Sequence, residues 1–456
     1  MLTKTLRLAC LLLLTSQVSS AAARGRATEA AAPPGFVTVR GAGFEIDGKP
    51  YRFLGTNLWY GMNLASRGPG GDRARLLREL DRLSALGVKN LRIVAASEGP
   101  DTEPWRMAPA LQKKPGVYDK ELLDGLDFLL AEMGQRDMRA VVVLNDFWHW
   151  SGGMAQYVSW SQGLPIPYPP PAAGGDWDVF QRFAARFYSD PKAMKRFRKL
   201  VKRVVTRKNG YTRRRYRDDP TIMAWQLANE PRGTGDPAGL QKWIDETARY
   251  IKSLDPVHLV TTGCEGETPG PAAAGLDFLK NHAGPDIDYA TMHIWVQNWG
   301  WYDPALGEDA FEEGVRKMSA YFSDHEAKAR RLGKPLVLEE FGLARDVGSF
   351  EPAAEATTRN RYFVLVFQKV AAAAAVGSPV AGVNFWAWSG EGRPVQPGGV
   401  WKPGQPFTGD PPHESQGWYG VYDSDAETLR IVSDWTRRLT PAAKGTPDSG
   451  VPVSAR

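Results

Sequence analysis

Eight short apolar runs recur along the chain, and amphipathic helical stretches separate them. The runs cover, in order, residues 53–57, 90–95, 139–145, 222–230, 258–263, 288–293, 335–340 and 380–386. Most of them end in polar or aromatic side chains. Buried strands that alternate with helices eight times are typical of a (β/α)8 barrel, the TIM barrel. We therefore predict an α/β fold with a single barrel.

The stretches between these runs have helical periodicity. The clearest ones cover residues 72–86, 120–135, 243–254, 311–332 and 357–375. A doubly wound open sheet is the alternative arrangement of such elements. It has weaker support, because no glycine-rich phosphate-binding loop follows any of the runs.

Three further segments complete the predicted domain. Residues 36–53 alternate like strands around an Asp47-Gly48 turn, which indicates an N-terminal β-hairpin. The connections 147–219 and 389–422 are long, aromatic and rich in Pro and Gly. We expect these long loops on the carboxyl face of the barrel, where loops form binding clefts.

The chain has 456 residues and a net charge of +6, from 57 Lys and Arg against 51 Asp and Glu. This bias is mild for the length and does not predict a nucleic-acid partner. The basic run 192–217 is interpreted as the solvated face of a helix and a surface loop. With two cysteines, a disulfide scaffold is excluded.

The composition of the N-terminal segment predicts that the protein is exported. Residues 1–23 carry two basic residues, an apolar run and a small-residue cleavage region, as in a secretory signal peptide. We expect a flexible segment over 24–35, the single barrel domain over 36–440 and a disordered tail over 441–456. The mature protein is then secreted or periplasmic, free of the membrane and monomeric, with Cys264 as its one buried thiol.

Two of the predicted strands end in glutamates. Glu230 follows the fourth run, in Asn229-Glu230-Pro231, and Glu340 closes the seventh. A single such carboxylate would favour an ion pair or a helix cap. Two that converge over a barrel mouth can divide into an acid and an anion, as glycoside hydrolysis requires.

Other residues near the predicted strand ends suit the same chemistry. Arg92 could hold a carboxylate ionised, His293 could donate to the substrate or to a carboxylate, and Asn229 could bind a sugar hydroxyl. The sequence shows neither zinc-ligand spacing nor a G-x-S-x-G nucleophile elbow. We predict no metal and no cofactor.

Tryptophan placement is a second indication. Eight tryptophans lie at or just after predicted strand ends: Trp59, Trp148, Trp150, Trp295, Trp299, Trp301, Trp386 and Trp388. Core packing is the usual fate of any one of them. Because sugar rings stack their C–H faces on indole, the set as a whole predicts a polysaccharide-binding cleft.

A set of ordered motifs carries a family resemblance. They are Gly55-Thr56-Asn57-Leu58-Trp59-Tyr60, Asn229-Glu230-Pro231, His293, Glu340-Phe341-Gly342, Phe385-Trp386, and the segments 150–158 and 416–422. The chain resembles glycoside hydrolase family 5, and most closely its β-mannanase branch, over residues 36–439.

The resemblance implies a role for each matched residue. Glu230 is the acid/base and Glu340 is the nucleophile, supported by Asn229, Arg92 and His293. The implied substrate-binding residues are Trp59, Trp148, Trp295, Trp386 and Asn145. His149 is an alternative to Asn145 as the polar residue after strand three. Where the family often has a tyrosine bonded to the nucleophile, this chain has Trp295, whose indole N–H could donate instead.

These observations predict a secreted enzyme that cleaves β-1,4-mannosidic bonds of mannan, glucomannan or galactomannan with retention. A β-1,4-glucanase or an exo-acting β-mannosidase is the alternative within the family, and exo action would need a loop that blocks one end of the cleft. A non-catalytic carbohydrate-binding barrel is the alternative outside the enzymes. We further expect the two carboxyl groups to lie about 5 to 5.5 Å apart, the pKa of Glu230 to be raised, and Arg92 to keep Glu340 ionised.

Overall fold

The computed structural model describes residues 33–267 and 275–439. The chain from Pro34 onward groups into one compact unit. The predicted signal peptide 1–23, residues 24–32 of the predicted flexible segment and the predicted tail 441–456 lie outside the described residues.

Eight parallel strands form the central sheet. They are β1 Phe53–Asn57, β2 Asn90–Val94, β3 Arg139–Val143, β4 Ile222–Gln226, β5 Leu259–Thr261, β6 Ala290–Ile294, β7 Leu336–Phe341 and β8 Val380–Phe385. Their order in the sheet is β5-β4-β3-β2-β1-β8-β7-β6. A parallel bridge between Thr261 and Tyr289 joins the two outer strands. The sheet is therefore a closed barrel, and the (β/α)8 prediction is confirmed.

Helices connect the strands. They are α1 Gly61–Leu64, α2 Arg73–Ala85, α3 Lys120–Gln135, α4 Gly153–Gln162, α5 Trp177–Ala185, α6 Pro191–Val205, α7 Pro237–Leu254, α8 Phe278–Ala283, α9 Gly307–Leu332, α10 Thr357–Ala375 and α11 Ala426–Leu439. All five predicted helical stretches are present. The connection from β3 to β4 carries three of the helices, α4 to α6, and is the longest in the barrel.

Aspartate caps explain where many of these helices begin. The side chain of the residue before the first turn accepts a backbone N–H in α2, α3, α5, α6, α7 and α8, from Asp72, Asp119, Asp176, Asp190, Asp236 and Asp277. Each cap satisfies a donor that the helix cannot pair internally. Because Asp236 is followed by a proline, α7 begins at residue 237, earlier than predicted.

A small antiparallel sheet covers the amino end of the barrel. Its strands are Val37–Arg40, Gly43–Ile46 and Lys49–Tyr51. The predicted turn is present, with φ of 50° at Asp47 and 74° at Gly48, and the first strand adds to the predicted hairpin. Phe44 and Val37 pack there into a separate apolar cluster with barrel residues. This small sheet therefore packs against one end of the barrel.

The basic run that begins at residue 192 lies on the exposed face of helix α6, as predicted. Helix α6 buries Phe197, Leu200 and Val204 on one face and directs its Lys and Arg side chains mainly to the other. Within residues 33–267 and 275–439, every helix is too short or too polar to cross a bilayer.

The strand predictions that end in Glu230 and in Asn145 need correction at the carboxyl face. The run 222–230 ends as a regular strand at Gln226, so that Glu230 lies four residues beyond β4. The run 139–145 ends at Val143, and Asn145 follows it. In both cases polar loop residues continue to bond neighbouring strands irregularly, for example Glu230 N–H to Gly263 O at 3.0 Å.

Candidate active site

Glu230 stands at the barrel mouth on an unusual backbone. Its φ is +46°, in the left-handed region that non-glycine residues rarely adopt. Such a conformation costs about 1 to 3 kcal/mol and persists where the surroundings hold it. Here Glu230 N–H donates to Gly263 O, and the preceding Asn229 O accepts from Phe147 N–H at 3.0 Å. The side chain is 8% exposed and directed into the site.

Glu340 reaches the same place from β7. A register shift follows Met292 in β6, so that His293 pairs with Glu340 while Met292 pairs with Leu338. Glu339 is the extra residue of this bulge. Strand alternation would send two successive side chains to opposite faces, yet the carboxylates of both Glu339 and Glu340 lie beside Arg92. Glu340 is 3% exposed.

The predicted catalytic residues converge. One carboxylate oxygen of Glu230, one of Glu340 and one ring nitrogen of His293 all lie within 4.8 Å of one another. These are atoms that could ligate a metal. The guanidinium of Arg92, in contact with Glu340, places a positive charge against them, which disfavours a cation at this position.

Arg92 organises the floor of the site. Its guanidinium contacts the Glu340 carboxylate and donates to Asn57 Oδ1 at 3.1 Å, Gln226 Oε1 at 2.8 Å and Asn229 Oδ1 at 2.7 Å. One buried side chain of β2 thus contacts groups from β1, from β7, and from β4 and the residues after it. The predicted supporting roles of Arg92 and Asn229 agree with these contacts.

His293 lies between the two glutamates. Its Nδ1 is 2.6 Å from Glu230 Oε1 and 3.3 Å from Glu340 Oε2. Burial lowers the pKa of His293, but the charge on Glu340 and the hydrogen bond to Glu230 outweigh burial and raise that pKa to about 10. The imidazole is therefore charged at neutral pH.

The charge of His293 reverses the expected order of the pKa values of Glu230 and Glu340. Burial raises the pKa of Glu230, yet the hydrogen bond and charge of His293 bring it down to about 2. Burial raises the pKa of Glu340 to about 7, against the lowering by His293 and Arg92. Because the three groups titrate together, the proton expected on Glu230 resides on His293 in the resting site.

Two indoles each donate to one glutamate. Trp148 Nε1 donates to Glu230 Oε2 at 2.6 Å, and Trp295 Nε1 donates to Glu340 Oε2 at 3.2 Å. Trp295 thus takes the donor position that the family resemblance assigns to a tyrosine. The guanidinium of Arg232 lies 4.7 Å from the centre of the Trp148 ring and holds that indole in place.

The other predicted tryptophans differ in their surroundings. Trp386 packs edge-on against Trp295, the indole bonded to Glu340, with ring centres 6.0 Å apart. Trp59 donates its Nε1 to Gly409 O at 2.8 Å and braces the loop after β8. The interpretation of all eight tryptophans as cleft residues is wrong for Trp388, which is 0% exposed and donates to Glu79.

The polar candidates after strand three are both buried. Asn145 Oδ1 accepts from Asp146 N–H, and Asn145 Nδ2 has no partner among the described residues. Both ring nitrogens of His149 are likewise without one. Each therefore keeps hydrogen-bonding capacity for a substrate.

Sequence reasoning missed two residues that support the site. Gln226 Nε2 donates to Glu339 Oε2 at 2.5 Å, and its position as the last residue of β4 was an available signal. Arg232 pairs with Glu265 at 2.7 Å. Nothing in the local sequence marks that pair, because its partners come from the loops after two different strands.

Comparison with known proteins agrees with this geometry. A family model described as GH family 5 beta-mannosidase-like matches residues 34–444. The chain belongs to glycoside hydrolase family 5. The family resemblance of the sequence is thereby confirmed, and the protein is a glycoside hydrolase.

Relatives of this family 5 enzyme cover most of its length. Mannan endo-1,4-beta-mannosidase 1 of Solanum lycopersicum is 32% identical over 90% of this chain and 93% of its own. The putative mannan endo-1,4-beta-mannosidase 5 of Oryza sativa is 34% identical over 89% and 77%. A family 5 mannosidase from Rhizomucor miehei superposes with a TM-score of 0.82 at 39% identity, covering 89% of this chain and 97% of that one.

Trp386 provides a test of sugar stacking in the family 5 site. We expect Trp386→Phe to lower kcat/KM on a mannan oligosaccharide about tenfold, since a smaller ring loses part of a stacking contact. The midpoint of thermal unfolding should fall by only a few degrees. Trp388→Phe is the matched control, because Trp388 lies in the core. Equal activity losses in the two variants would contradict the platform role.

The charged state of His293 predicts how stability depends on pH. Its pKa is raised from 6.5 to about 10 in the folded protein, so its stabilising effect is complete below 6.5 and is lost as pH rises toward 10. We expect the free energy of unfolding, measured with urea, to decline over this window in the wild type and to decline less in His293→Asn.

His325→Asn is the control for that experiment. Burial lowers the pKa of His325 to about 4, so this residue does not titrate between pH 6.5 and 10. The variant should lose stability without a change in slope. An unchanged slope in His293→Asn would show that the imidazole is not charged in the folded protein.

Proposed function

We propose that this family 5 enzyme hydrolyses β-1,4-mannosidic bonds of mannan, glucomannan or galactomannan with retention of configuration. The observation that carries the proposal is the approach of Glu230 and Glu340, with one oxygen of each within 4.8 Å. Retaining enzymes hold their carboxyl groups about 5 to 5.5 Å apart, whereas inverting enzymes leave about 6.5 to 9.5 Å for a water molecule.

The first step forms a glycosyl–enzyme ester. Glu340 attacks the anomeric carbon, and the bond from that carbon to the glycosidic oxygen breaks. The leaving oxygen takes a proton from Glu230, which draws it from His293 Nδ1 at 2.6 Å. Arg92 and the Trp295 indole hold the attacking carboxylate in place through their hydrogen bonds.

The second step releases the sugar. Glu230, now ionised, removes a proton from a water molecule that attacks the anomeric carbon, and the bond to Glu340 breaks. The proton returns to the Glu230–His293 pair, and Glu340 becomes a free carboxylate again. Two inversions at the same carbon give net retention.

The substrate is inferred from the relatives. The tomato and rice proteins are named mannan endo-1,4-beta-mannosidases. A variant of the Rhizomucor miehei mannosidase, 38% identical to this chain, forms a complex with mannosyl-fructose. These names favour a β-mannoside over the glucan alternative.

Removal of units from a chain end is a second candidate for how the polysaccharide is attacked. The plant names favour cleavage within the chain. Contact between the loops after β3 and β8 favours exo action, since the rings of His149 and His413 lie 4.7 Å apart. Both modes use the same two carboxylates.

We also propose that the enzyme is secreted or periplasmic and acts as a monomer. The basis for the compartment is the leader-like composition of residues 1–23. Export of a reporter fused to that segment, with Lys4 and Arg7 replaced by Glu as the control, tests the compartment.

The decisive experiment follows the first-formed anomer by NMR during hydrolysis of mannohexaose. We expect the β anomer first and its slow equilibration with α afterwards. An α product first would overturn the retaining mechanism. Cellohexaose in parallel tests the substrate, because efficient cleavage of cellohexaose and not of mannohexaose would favour the glucanase alternative.

A further inference from the structure

Positive charge is concentrated in one segment of the chain. Residues 192–217 hold 13 of the 57 Lys and Arg and none of the 51 Asp and Glu. The rest of the chain therefore has 44 basic against 51 acidic residues. A net charge of +6 for the whole chain hides this separation, because a mildly acidic protein carries one strongly basic segment.

The structure places most of these cations on the outside of the barrel, where they form the basic surface. On helix α6 its lysines recur every three or four residues, so they lie along one face over about 15 Å. In the loop that follows, the chain turns back on itself through an antiparallel bridge between Lys208 and Arg215. The basic surface consists of nine exposed residues: Lys192, Lys195, Lys199, Lys202, Arg203, Lys208, Arg213, Arg214 and Arg215.

The cations of the basic surface have no carboxylate partner among the described residues. The ion pairs of the segment involve its other arginines, Arg198, Arg207 and Arg217. Exposed cations on other helices pair with an acid one turn away, as Arg316 does with Glu313 at 2.6 Å. Like charges one turn apart on a helix repel each other. An external anion bound along α6 would remove this repulsion.

The composition of the surface distinguishes between classes of anion. Apart from Pro191, every exposed side chain of α6 is Lys or Arg, and apolar residues such as Phe197 are buried. A helix that binds in a membrane surface needs an exposed apolar face as well as cations. The basic surface therefore suits a hydrated polyanion better than a lipid bilayer.

Stacking on aromatic rings is also unavailable here. Tyr211 is the exposed aromatic residue of the segment 192–217. Its hydroxyl donates to Asp124 at 3.0 Å, and the guanidinium of Arg73 lies 5.6 Å from the centre of its ring. Single-stranded nucleic acids bind through both cations and exposed aromatic rings. The surface offers charge alone, which fits a polymer that presents charge at regular intervals.

We propose that the basic surface binds an acidic polysaccharide, one whose sugars carry carboxylate groups, at a site separate from the catalytic cleft. Lysine ammonium groups on flexible stems can each meet one carboxylate, and many weak contacts along one polymer add up. The choice of a polysaccharide among polyanions rests on the proposed function and compartment. It follows that the surface holds the enzyme on material in which acidic and neutral polysaccharides are mixed.

The experiment measures binding of the full-length enzyme to fluorescein-labelled oligogalacturonate by fluorescence anisotropy. For the wild type, we expect the affinity to fall about tenfold or more between 50 and 200 mM salt, because binding releases counterions. A variant with Gln at the four α6 lysines should lose about tenfold in affinity and show a shallower salt dependence. Its kcat/KM on mannohexaose should equal that of the wild type. The substitutions are Lys192→Gln, Lys195→Gln, Lys199→Gln and Lys202→Gln.

Two further variants make the result specific. The matched control changes the net charge equally at four exposed arginines on other helices, and it should bind like the wild type: Arg316→Gln, Arg330→Gln, Arg361→Gln and Arg430→Gln. A loop variant with Gln at residues 213–215 tests the other half of the basic surface and should lose affinity as well. The loop variant decides the outcome if the α6 variant does not fold.

Equal losses in the α6 variant and the matched control would overturn the proposal, because net charge alone would then explain binding. Tighter binding to duplex DNA, or to vesicles of equal parts phosphatidylcholine and phosphatidylglycerol, would overturn the choice of a polysaccharide. An enzyme that cleaves mannohexaose but does not bind oligogalacturonate would overturn the basic surface alone. An enzyme that binds oligogalacturonate but does not cleave mannohexaose would support the surface and contradict the proposed function.

Discussion

Replacement of Glu340 by alanine should lower kcat on a β-mannoside by at least about 10⁴-fold, the scale of loss seen when a catalytic nucleophile is removed. Under the proposed mechanism, the variant lacks the carboxylate that forms the ester, and Arg92 loses one of its partners. Single-turnover kinetics with an activated aryl mannoside measures the loss of the glycosylation step directly.

Azide distinguishes the two glutamates. In Glu340→Ala, azide can occupy the space of the lost carboxylate and attack from the same face, which gives an α-mannosyl azide. In Glu230→Ala, the ester still forms and azide attacks it from the opposite face, which gives a β-mannosyl azide. Exchange of these two products between the variants would show that the assigned roles are reversed.

Arg92→Met should cause the second large effect, this time on stability. Glu339 and Glu340 are both buried beside the Arg92 guanidinium. Loss of one partner from a buried ionic cluster costs about 3 to 5 kcal/mol, because the remaining carboxylates stay desolvated and lose their guanidinium partner. Urea unfolding at neutral pH measures the loss, and activity should fall as well.

Two further variants make the Arg92 result specific. Arg316→Met removes an arginine whose side chain is 69% exposed and paired with Glu313, and such surface pairs contribute about 0 to 1 kcal/mol. Arg92→Met combined with Glu339→Gln should recover part of the stability, because one buried charge is removed as well. A loss in Arg92→Met no larger than in Arg316→Met would contradict the proposed role of the guanidinium.

The sequence predicted the barrel strands and the site residues that depend on position along a strand. All eight barrel strands were located, because parallel strands buried on both faces are continuous apolar runs. The two glutamates and His293 were predicted as site residues for the same reason, since each lies at or near the carboxyl end of such a run, whereas Arg92 lies in the middle of β2. The structure then brings these four side chains together, as barrel geometry requires.

Other features depend on contacts that no local pattern encodes. The bulge opposite His293, which turns both Glu339 and Glu340 inward, is a matter of register between β6 and β7. The bond from Trp148 to Glu230 joins residues 82 positions apart, so Trp148 was predicted only as a sugar contact. The expected pKa order also failed, because it omitted a charged imidazole between the carboxylates.

The position of His293 between the glutamates determines whether the site must exchange protons with bulk water. Under the proposed mechanism, the proton that departs with the leaving sugar is restored by the attacking water, and it moves between Glu230 and His293 over a distance of 2.6 Å. A complete cycle then requires no exchange of protons with the buffer. The covering loops need to admit only sugar and one water molecule, and the chemistry can proceed in a site otherwise sealed from solvent.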